Sequence, residues 1–237
     1  MPIQQFTAKL SESTIVGEEF HFLKFELLQP EHIEFVAGQY LLLNTPGALQ
    51  KRQYSIASAP RLDHAFELLV EKIPNGVASG YLCGLKPGDE ISFYAPAGEF
   101  VIADSVQVAT TPINFVATGS GIAPLRAMIL DLLRTRDSKR QIMLYWGMRF
   151  AQNLFWLDQL DELHDAFPNF SYHLVLSKAT DEWKLCRGRV TDCLTIHEIA
   201  KDAEYYLCGN SHMITDVMGV LAQKGVPAEH VHHEKFI

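Results

Sequence analysis

The chain changes its rhythm near residue 112, and this change limits the folds that it can adopt. Up to about Ile102, short β-type stretches alternate with turns rich in proline and glycine. After a connector at about Ala103–Pro112, compact apolar stretches alternate with stretches of helical period. The first pattern predicts an antiparallel barrel or sandwich, and the second predicts a parallel sheet covered by helices. We therefore expect two domains, 1–104 and 112–237.

The same periodicities predict individual elements. In the first half we expect a short helix with Ser79 as its N-cap. The predicted strands there are Glu19–Leu27, Gln39–Asn44, Arg52–Ala57, Phe66–Lys72 and Glu90–Ala95, and the helix is Ser79–Leu85. The predicted strands of the second half are Ile113–Thr118, Ile142–Trp146, Ser171–Leu176, Tyr205–Cys208 and His230–His233. Its predicted helices are Pro124–Thr135, Asn153–Ala166, Arg189–Ile199 and Ser211–Gln223.

Composition excludes several classes of protein. With 48% hydrophobic and 20% charged residues in 237, the chain has enough apolar mass for folded cores. A net charge of −8 argues against a nucleic-acid partner, because such binding depends on Lys and Arg neutralising phosphates. We find no basic and apolar leader after Met1 and no apolar run of the roughly 18 residues that a membrane helix needs. We therefore expect a cytoplasmic protein without a membrane span.

The cysteines and histidines form no familiar metal motif. The four cysteines are scattered, and none belongs to a C-x2-C group or to the spacing of a plant-type iron–sulfur cluster. Three histidines near the C-terminus alternate along a predicted strand and are interpreted as ordinary strand residues. The cysteines are Cys83, Cys186, Cys193 and Cys208, and the histidines are His230, His232 and His233. We expect reduced thiols and no metal site.

A glycine-rich turn follows the first strand of the second half. Thr118-Gly119-Ser120-Gly121-Ile122-Ala123-Pro124 lies where a helix begins, so its glycines and free amides suit a pyrophosphate. Alone, the turn is equally consistent with a tight strand–helix connection. Its spacing differs from the six-residue dinucleotide fingerprint, which disfavours an ordinary Rossmann dehydrogenase.

Two further strand ends point to the same edge of the predicted sheet. Tyr145–Arg149 ends the second strand with a glycine and a cation, and Leu207–Asn210 ends the fourth. Taken singly, Arg149 is a surface charge and Cys208 a small core residue. Ligands of parallel sheets bind beyond the carboxyl ends of the strands, so three such segments together indicate a dinucleotide site.

In the first half, the informative segment is Lys51–Ser58. Arg52 can hold a phosphate, Tyr54 can flank a planar ring, and Ser55 can hydrogen-bond a ring nitrogen. A plain β-strand with a polar edge is the alternative. Downstream, Gly76–Leu82 is a second candidate anion site, and simple helix capping by a serine is its alternative.

Four segments in this order and at these distances resemble the ferredoxin–NADP reductase family. They are Arg52-Gln53-Tyr54-Ser55, Gly76-x-x-Ser79-x-x-Leu82, Gly119-Ser120-Gly121-Ile122-Ala123-Pro124 and Cys208-Gly209. Leu85–Asp89 and Ala95–Phe100 support the resemblance, which covers nearly the whole chain. It implies an antiparallel β-barrel that binds flavin, followed by an α/β parallel-sheet domain that binds nucleotide. The implied cofactors are FAD and either NADP or NAD.

The resemblance also implies roles for individual residues. Arg52 would hold the flavin phosphate, Tyr54 would pack on the flavin, and Ser55 would lie near its N5 atom. Cys208 would lie near the reacting nicotinamide carbon, and Phe236 would cover the flavin, so Ser55, Cys208 and Phe236 are the candidate catalytic residues. The FAD pyrophosphate would bind at Gly76, Val77, Ala78 and Ser79. The other implied cofactor contacts are Gln53, Thr118, Gly119, Gly121, Pro124, Arg149, Ser177, Lys178 and Gly209.

The electron acceptor is less constrained than the cofactors. The resemblance implies hydride transfer from NAD(P)H to FAD, followed by release of electrons to ferredoxin or another separate redox protein, because the fused iron–sulfur domain of several relatives is absent here. Tyr145–Arg149 and the ending at Phe236-Ile237 also look like NAD(P)H:flavin reductases, which use free flavin as a substrate. An electron-transfer subunit of a larger complex is a third possibility, and a flavin-free dehydrogenase is a fourth.

Two local departures add expectations. Many relatives have proline after Cys-Gly where this chain has Asn210, which leaves the shape of that loop open. Ser177-Lys178 ends the third strand of the second half, and a hydroxyl and a cation are the partners that a 2′-phosphate needs. Lys184 and Arg187 follow, balanced by Asp181-Glu182. The segment favours NADPH over NADH.

Overall fold

A computed structural model of the protein describes residues 2–47, 50–62, 64–102 and 110–236, without the side chain of Phe236. The predicted connector therefore lies largely outside the described residues. The chain forms two compact units, Met1–Ile102 with Arg126–Arg136, and Ala103–Leu125 with Asp137–Ile237. The predicted domains are contiguous in sequence. The compact units are not, because Arg126–Arg136 group with the first unit.

The first unit is an antiparallel β-barrel. Its elements are β1 (Gln4–Val16), β2 (Phe20–Gln29), β3 (Tyr40–Leu43), β4 (Arg52–Ser55), β5 (Ala65–Glu71), α1 (Val77–Gly84) and β6 (Glu90–Ala97). The strands pair in the order β4-β3-β6-β1-β2-β5. A bridge between Ile56 and Leu68 joins the two ends of this order, so the sheet closes on itself and leaves fewer unpaired edges.

The longest strand, β1, is absent from the sequence-based prediction. Its N-terminal half alternates buried Phe6, Ala8 and Leu10 with more exposed residues, as a half-buried strand should. The small Ala8 and the interspersed Lys9 weaken the hydrophobic signal. In the structure, β1 pairs with both β2 and β6 and forms the centre of the sheet.

Aromatic rings fill the barrel core. Phe6 stacks on Phe93 with ring centroids 5.4 Å apart, and Phe25 stacks on Phe66 at 5.2 Å. Phe66 and Phe93 meet edge to face at 5.0 Å, so the four rings form one continuous cluster. All four come from different strands, and their packing therefore fixes the register of the barrel.

The helix α1 begins earlier than predicted. It starts at Val77 with Gly76 as its N-cap, so the assignment of Ser79 as the cap is wrong. The Ser79 hydroxyl donates to the Gly76 carbonyl at 3.4 Å and accepts from the Ile73 amide at 3.3 Å. This serine therefore tightens the turn from inside the first helical turn.

The second unit contains a parallel sheet with helices. Its strands are β7 (Ile113–Thr118), β8 (Ile142–Met148), β9 (Phe170–Leu176), β10 (Cys186–Arg187), β11 (Glu204–Asn210) and β12 (Val231–Phe236). They pair in the order β10-β9-β8-β7-β11-β12. The helices are α2 (Ile122–Leu130), whose residues from Arg126 group with the first unit, α3 (Leu157–Ala166), α4 (Val190–Ile196) and α5 (Ser211–Gln223). The predicted fold class is confirmed for both halves.

Several elements of the second half differ from the predictions. The helix predicted from Asn153 begins at Leu157, because Trp156 adopts a left-handed conformation with φ of 55°. The helix α4 stops at Ile196. The two-residue strand β10 was not predicted, since a run that short carries no periodicity. No helix in the described part of the chain is long and apolar enough to span a membrane.

A buried ion pair ties the C-terminal part of α2 to the barrel strands within the first unit. One guanidinium nitrogen of Arg126 lies 2.8 Å from a Glu67 carboxylate oxygen and donates to the Ala57 carbonyl at 2.7 Å. The two side chains are only 10% and 15% exposed. The Arg126 guanidinium also lies 5.4 Å from the Phe22 ring centroid. Burial of both charges makes the removal of either one costly.

We expect Arg126→Met to lower the free energy of unfolding by about 3 kcal/mol, because it leaves the buried Glu67 carboxylate unpaired. Urea unfolding of the variant, of Glu67→Gln and of the double variant would measure the coupling. Lys139→Met is the control, since the exposed Lys139–Asp137 pair should contribute less than about 1 kcal/mol. An equal loss of unfolding free energy in Arg126→Met and Lys139→Met would show that the buried Arg126–Glu67 pair stabilises the fold no more than an exposed pair.

Candidate cofactor sites

The predicted flavin segment forms the strand β4 of the barrel. Arg52 and Gln53 are exposed, Tyr54 is half-buried and Ser55 is buried. The Arg52 guanidinium donates to the neutral Gln50 amide oxygen at 3.2 Å, and the Gln53 amide donates to the Tyr40 hydroxyl at 3.1 Å. An exposed guanidinium that bonds a neutral side chain can also reach a phosphate. The strand thus presents a cation beside an aromatic ring.

Tyr54 is a neutral ring under ordinary conditions. Burial raises the pKa of Tyr54 to about 12, with a further increase from Cys83 that Arg52 partly offsets. The ring packs against the barrel core on one side. Its position is therefore fixed by the barrel, and its role on the flavin remains a prediction.

The N-terminus of α1 is suited to an anion. Among the described side chains none caps this helix, and its first turn carries no acidic residue. The first backbone amides of a helix lack intrahelical acceptors, and they carry partial positive charge. A Cβ atom at Gly76 would lie 2.4 Å from the Ser79 hydroxyl oxygen, so the tight turn needs glycine. The amides at Val77, Ala78 and Ser79 have the chemistry that a pyrophosphate needs, and their contact with one stays a prediction.

In the second unit, the ends of β7 and β11 approach at van der Waals distance. A Cβ atom at Gly121 would lie 2.2 Å from the Cys208 carbonyl oxygen. A Cβ atom at Gly209 would lie 2.5 Å from the Thr118 hydroxyl oxygen, and Gly209 has φ of +142°. Only glycine tolerates both positions without displacement of backbone. The structure thus brings together two of the predicted nucleotide-binding segments, Thr118–Pro124 and Leu207–Asn210.

Hydrogen bonds hold this turn in place. The indole N–H of Trp146 donates to the Gly119 carbonyl at 3.3 Å. The backbone N–H of Asn210 donates to the Thr118 hydroxyl at 3.4 Å. Pro124 is buried in the first turn of α2, where its missing N–H removes no intrahelical bond. The helix N-terminus that follows β7 is therefore a second candidate anion site.

Asn210 has a structural role of its own. Its side-chain oxygen accepts a hydrogen bond from the His212 amide at 2.9 Å, which makes it the N-cap of α5. The residue that departs from the family pattern therefore starts the helix, a task that the sequence-based reasoning did not assign to it.

Cys208 is buried within β11. Burial raises the pKa of Cys208 well above its ordinary value, and the nearby Glu234 carboxylate raises it further, while a backbone hydrogen bond from Gly209 opposes both. The residue is therefore a neutral thiol. Its position near the nicotinamide stays a prediction, and the side chain of Phe236 lies outside the described residues, although its backbone pairs with Asn210.

The structure places the predicted nucleotide-selecting residues side by side. The Ser177 amide donates to the Met148 carbonyl at 3.0 Å, and the Lys178 amide donates to the Arg149 carbonyl at 2.9 Å. Arg149, Ser177 and Lys178 are exposed at the carboxyl ends of β8 and β9. Two cations and a hydroxyl at one sheet edge can meet a phosphate.

The neighbouring loop uses its charges internally. The Arg187 guanidinium donates to the carbonyl oxygens of Asp181 and Trp183, both at 2.8 Å, and lies 3.6 Å from the Asp181 carboxylate. Lys184 also donates to the Asp181 carbonyl, at 3.4 Å. The two cations of this loop, Lys184 and Arg187, are therefore bound by groups of the loop itself.

One cluster was missed by the sequence analysis. The donor atoms of His173, Cys186, Cys193 and His197 all lie within 4.8 Å of one another. Its residues come from β9, β10, α4 and the position directly after α4. The spacing Cys-x6-Cys-x3-His was its only local signal in the sequence. By contrast, His232 pairs with Glu204 at 2.7 Å, and the C-terminal histidines do not belong to the cluster.

Comparison with known proteins identifies both units. The oxidoreductase FAD-binding domain matches residues 7–102, and the oxidoreductase NAD-binding domain matches residues 115–218. The reductase component of propane 2-monooxygenase from Gordonia sp. (strain TY-5) is 31% identical over 242 residues, which are 99% of this chain and 68% of that protein. One subunit of the Na⁺-translocating NADH-quinone reductase from Neisseria gonorrhoeae is 33% identical over 196 residues, 76% of this chain and 47% of that protein.

Solved structures agree with this assignment. Cytochrome P450 reductase GcoB of Amycolatopsis superimposes with a TM-score of 0.88 at 28% identity, covering 99% of this chain and 70% of that one. Ferredoxin–NADP⁺ reductase from Plasmodium falciparum gives a TM-score of 0.80 at 19% identity, covering 98% and 96%, which shows the shared fold.

We expect Gly121→Ala to weaken binding of the nicotinamide nucleotide about tenfold or more, because the added methyl group must displace the Cys208 carbonyl. Titration with NAD(P)⁺ would measure the change. Gly219→Ala is the control, since it adds a methyl group to exposed helix α5 with nothing within 4 Å. Unchanged affinity in Gly121→Ala would show that the turn adapts.

Proposed function

Since the chain belongs to the ferredoxin–NADP reductase family of flavin-dependent NAD(P)H oxidoreductases, we propose that it passes electrons from NAD(P)H to a separate redox protein, such as ferredoxin. Bound FAD supplies the chemistry, because it accepts a hydride and releases electrons one at a time. The observation that carries the proposal is the presence of two anion-suited helix starts, one in each cofactor unit. The protein has only to hold and orient the two rings.

Within the barrel, we assign separate tasks to two polar elements. Arg52 would bind the flavin phosphate, and the first-turn amides of α1 would bind the FAD pyrophosphate. Tyr54 would position the ring system by packing from the barrel side. The buried Ser55 would hydrogen-bond near the reacting nitrogen. These assignments are consistent with the exposure of each side chain.

The names of the relatives support a separate redox protein as the acceptor. Similar proteins are named as reductase components or reductases that serve an oxygenase or a cytochrome P450. We therefore place a separate redox protein first. The similarity to one subunit of an NADH-quinone reductase favours a second candidate, an electron-input subunit that works inside a larger complex. The chain spans two thirds or less of several of these relatives, so their additional functions are not transferred to it.

We also propose a cytoplasmic location. All four cysteines are free. Free thiols are usual in proteins of a reducing compartment.

We expect the purified chain to carry FAD whose visible absorbance bleaches when NADPH or NADH is added without oxygen. Arg52→Gln should lower the flavin affinity about 10-fold to 100-fold, because a charged hydrogen bond to phosphate is lost. Arg61→Gln, which changes another exposed arginine of the barrel unit, should retain flavin.

Two outcomes would redirect the assignment. A colourless protein that reduces added riboflavin would establish free flavin as its substrate. A flavin-loaded chain without turnover on ferricyanide would indicate a subunit that needs its complex.

We propose NADPH as the preferred donor, and we expect Lys178→Ala to raise the KM for NADPH about tenfold while the KM for NADH stays constant. The reason is loss of one cation opposite the 2′-phosphate. Steady-state kinetics with both nucleotides would test this, with Lys139→Ala as the exposed-lysine control. A larger effect on NADH, or none on either nucleotide, would overturn the NADPH assignment.

A further inference from the structure

Four metal-ligating side chains converge within the second unit. His173 lies on β9, Cys186 on β10, Cys193 in α4 and His197 directly after α4. The Sγ atoms of the two cysteines are 2.8 Å apart, and Cys186 Sγ lies 3.5 Å from His197 Nε2. All four donor atoms lie within 4.8 Å of one another. No step of the proposed redox function uses these residues.

The surrounding structure holds the cysteines and the second histidine in place. The Trp183 indole donates to the Cys186 carbonyl at 3.0 Å, and Cys186 pairs with Val175 across the sheet. The Lys224 ammonium donates to the His197 carbonyl at 2.9 Å. Cys193 is fully buried in the core of the unit. The convergence therefore results from backbone and core contacts, not from chance rotamers at the surface.

The two imidazole rings are held by stacking. The His173 ring centroid lies 5.2 Å from that of Tyr145 and 4.2 Å from that of His197. Stacking restricts the ring orientation without occupying the ring nitrogens. Ligation of one ion requires both lone pairs to point at one position, so binding would tilt the two rings away from their 28° stacked arrangement.

We propose that His173, Cys186, Cys193 and His197 form a structural Zn²⁺ site. Tetrahedral zinc has Zn–S distances of about 2.3 Å and Zn–N distances of about 2.0–2.1 Å, which place sulfur about 3.6 Å from nitrogen. The observed distance between Cys186 Sγ and His197 Nε2 is 3.5 Å. Two zinc-bound sulfurs would be about 3.8 Å apart, so the pair must widen by about 1 Å.

A disulfide between the two cysteines is the competing explanation. The sulfur separation of 2.8 Å lies between the disulfide bond length of about 2.05 Å and the about 3.8 Å of two zinc-bound sulfurs, so the sulfur distance favours neither. The two histidines decide for zinc, because a disulfide gives no reason for His173 and His197 to bring ring nitrogens within 4.8 Å of both sulfurs. Two thiolates and two imidazoles complete a four-ligand set, which is the usual composition of a structural zinc site.

The donor set also selects the class of metal. Calcium and magnesium take oxygen ligands, whereas a tetrahedral set of two sulfurs and two nitrogens suits zinc. With all four positions supplied by the protein, no position remains for a substrate, so the site is structural. A cleft of about 570 Å³, lined by His173, Cys186 and His197 among others, gives an ion access from solvent.

The ion would secure an otherwise weak edge of the sheet. Strand β10 pairs with β9 through only two residues, at Cys186 and Arg187. Zinc would join β9, β10 and α4 at one point and would add its binding free energy to the folding of this edge. The site is independent of flavin reduction, so its test does not depend on the proposed function.

Metal analysis of the full-length chain, purified from zinc-supplemented cells without chelators, tests the site. We expect about one zinc per chain. Cys186→Ser and His197→Asn should each lose it, whereas Cys83→Ser, a half-buried cysteine of the barrel unit, should retain it. His197→Cys should restore binding, because it returns a metal ligand to the same position.

Cobalt gives a second, spectroscopic readout. Replacement of zinc by Co²⁺ should give the absorption of a tetrahedral thiolate complex, and this signal should be absent in Cys186→Ser. Far-ultraviolet circular dichroism and flavin content separate loss of the site from loss of the fold. A native chain that binds neither ion with its thiols reduced would overturn the proposal. So would an intact mass showing the Cys186–Cys193 disulfide in protein purified under reducing conditions.

Discussion

The contact between the carboxyl ends of β7 and β11 is the constraint on which the proposed nucleotide site depends. At Gly121 and Gly209 the backbones approach so closely that a single methyl group on either residue would overlap backbone or hydroxyl oxygen. This approach leaves the start of α2 beside the end of β11, and it determines where the free amides of that helix point. Thr118 completes the contact through its hydroxyl group.

The barrel unit leaves helix amides free for its proposed anion site by another route. Here the glycine at position 76 lets a serine fold back on the turn, so the helix begins without a side-chain cap and its first amides remain available. Capping by a side chain would have stabilised the helix and blocked those amides. In both units a helix therefore starts without a side-chain cap, although one unit is a barrel and the other a parallel sheet with helices.

The sequence predicted the architecture well because periodicity and glycine placement are local signals. The parallel strands, the strand at Arg52–Ser55 and the turn at Gly119–Gly121 were all accessible in this way. Features that depend on distant partners were not. Strand β1 acquires its identity from pairing with β2 and β6, and the capping role of Asn210 follows from the geometry of the β11 end. The cluster around Cys193 combines residues of three elements whose meeting no local pattern encodes.

Arg187 is a charged residue near the proposed nucleotide site whose side chain binds the protein's own backbone. Its guanidinium fastens the loop after β9 by hydrogen bonds to the carbonyl oxygens of Asp181 and Trp183. Exchange of this arginine during redesign of cofactor preference would loosen the loop itself, whatever its effect on charge. The exposed pair Ser177-Lys178 is held to the end of β8 by two backbone hydrogen bonds. The Ser177 hydroxyl adds a long bond of 3.5 Å to the Met148 carbonyl. Side chains there can be varied while the scaffold remains intact, which makes this short stretch the natural place for directed evolution of the enzyme.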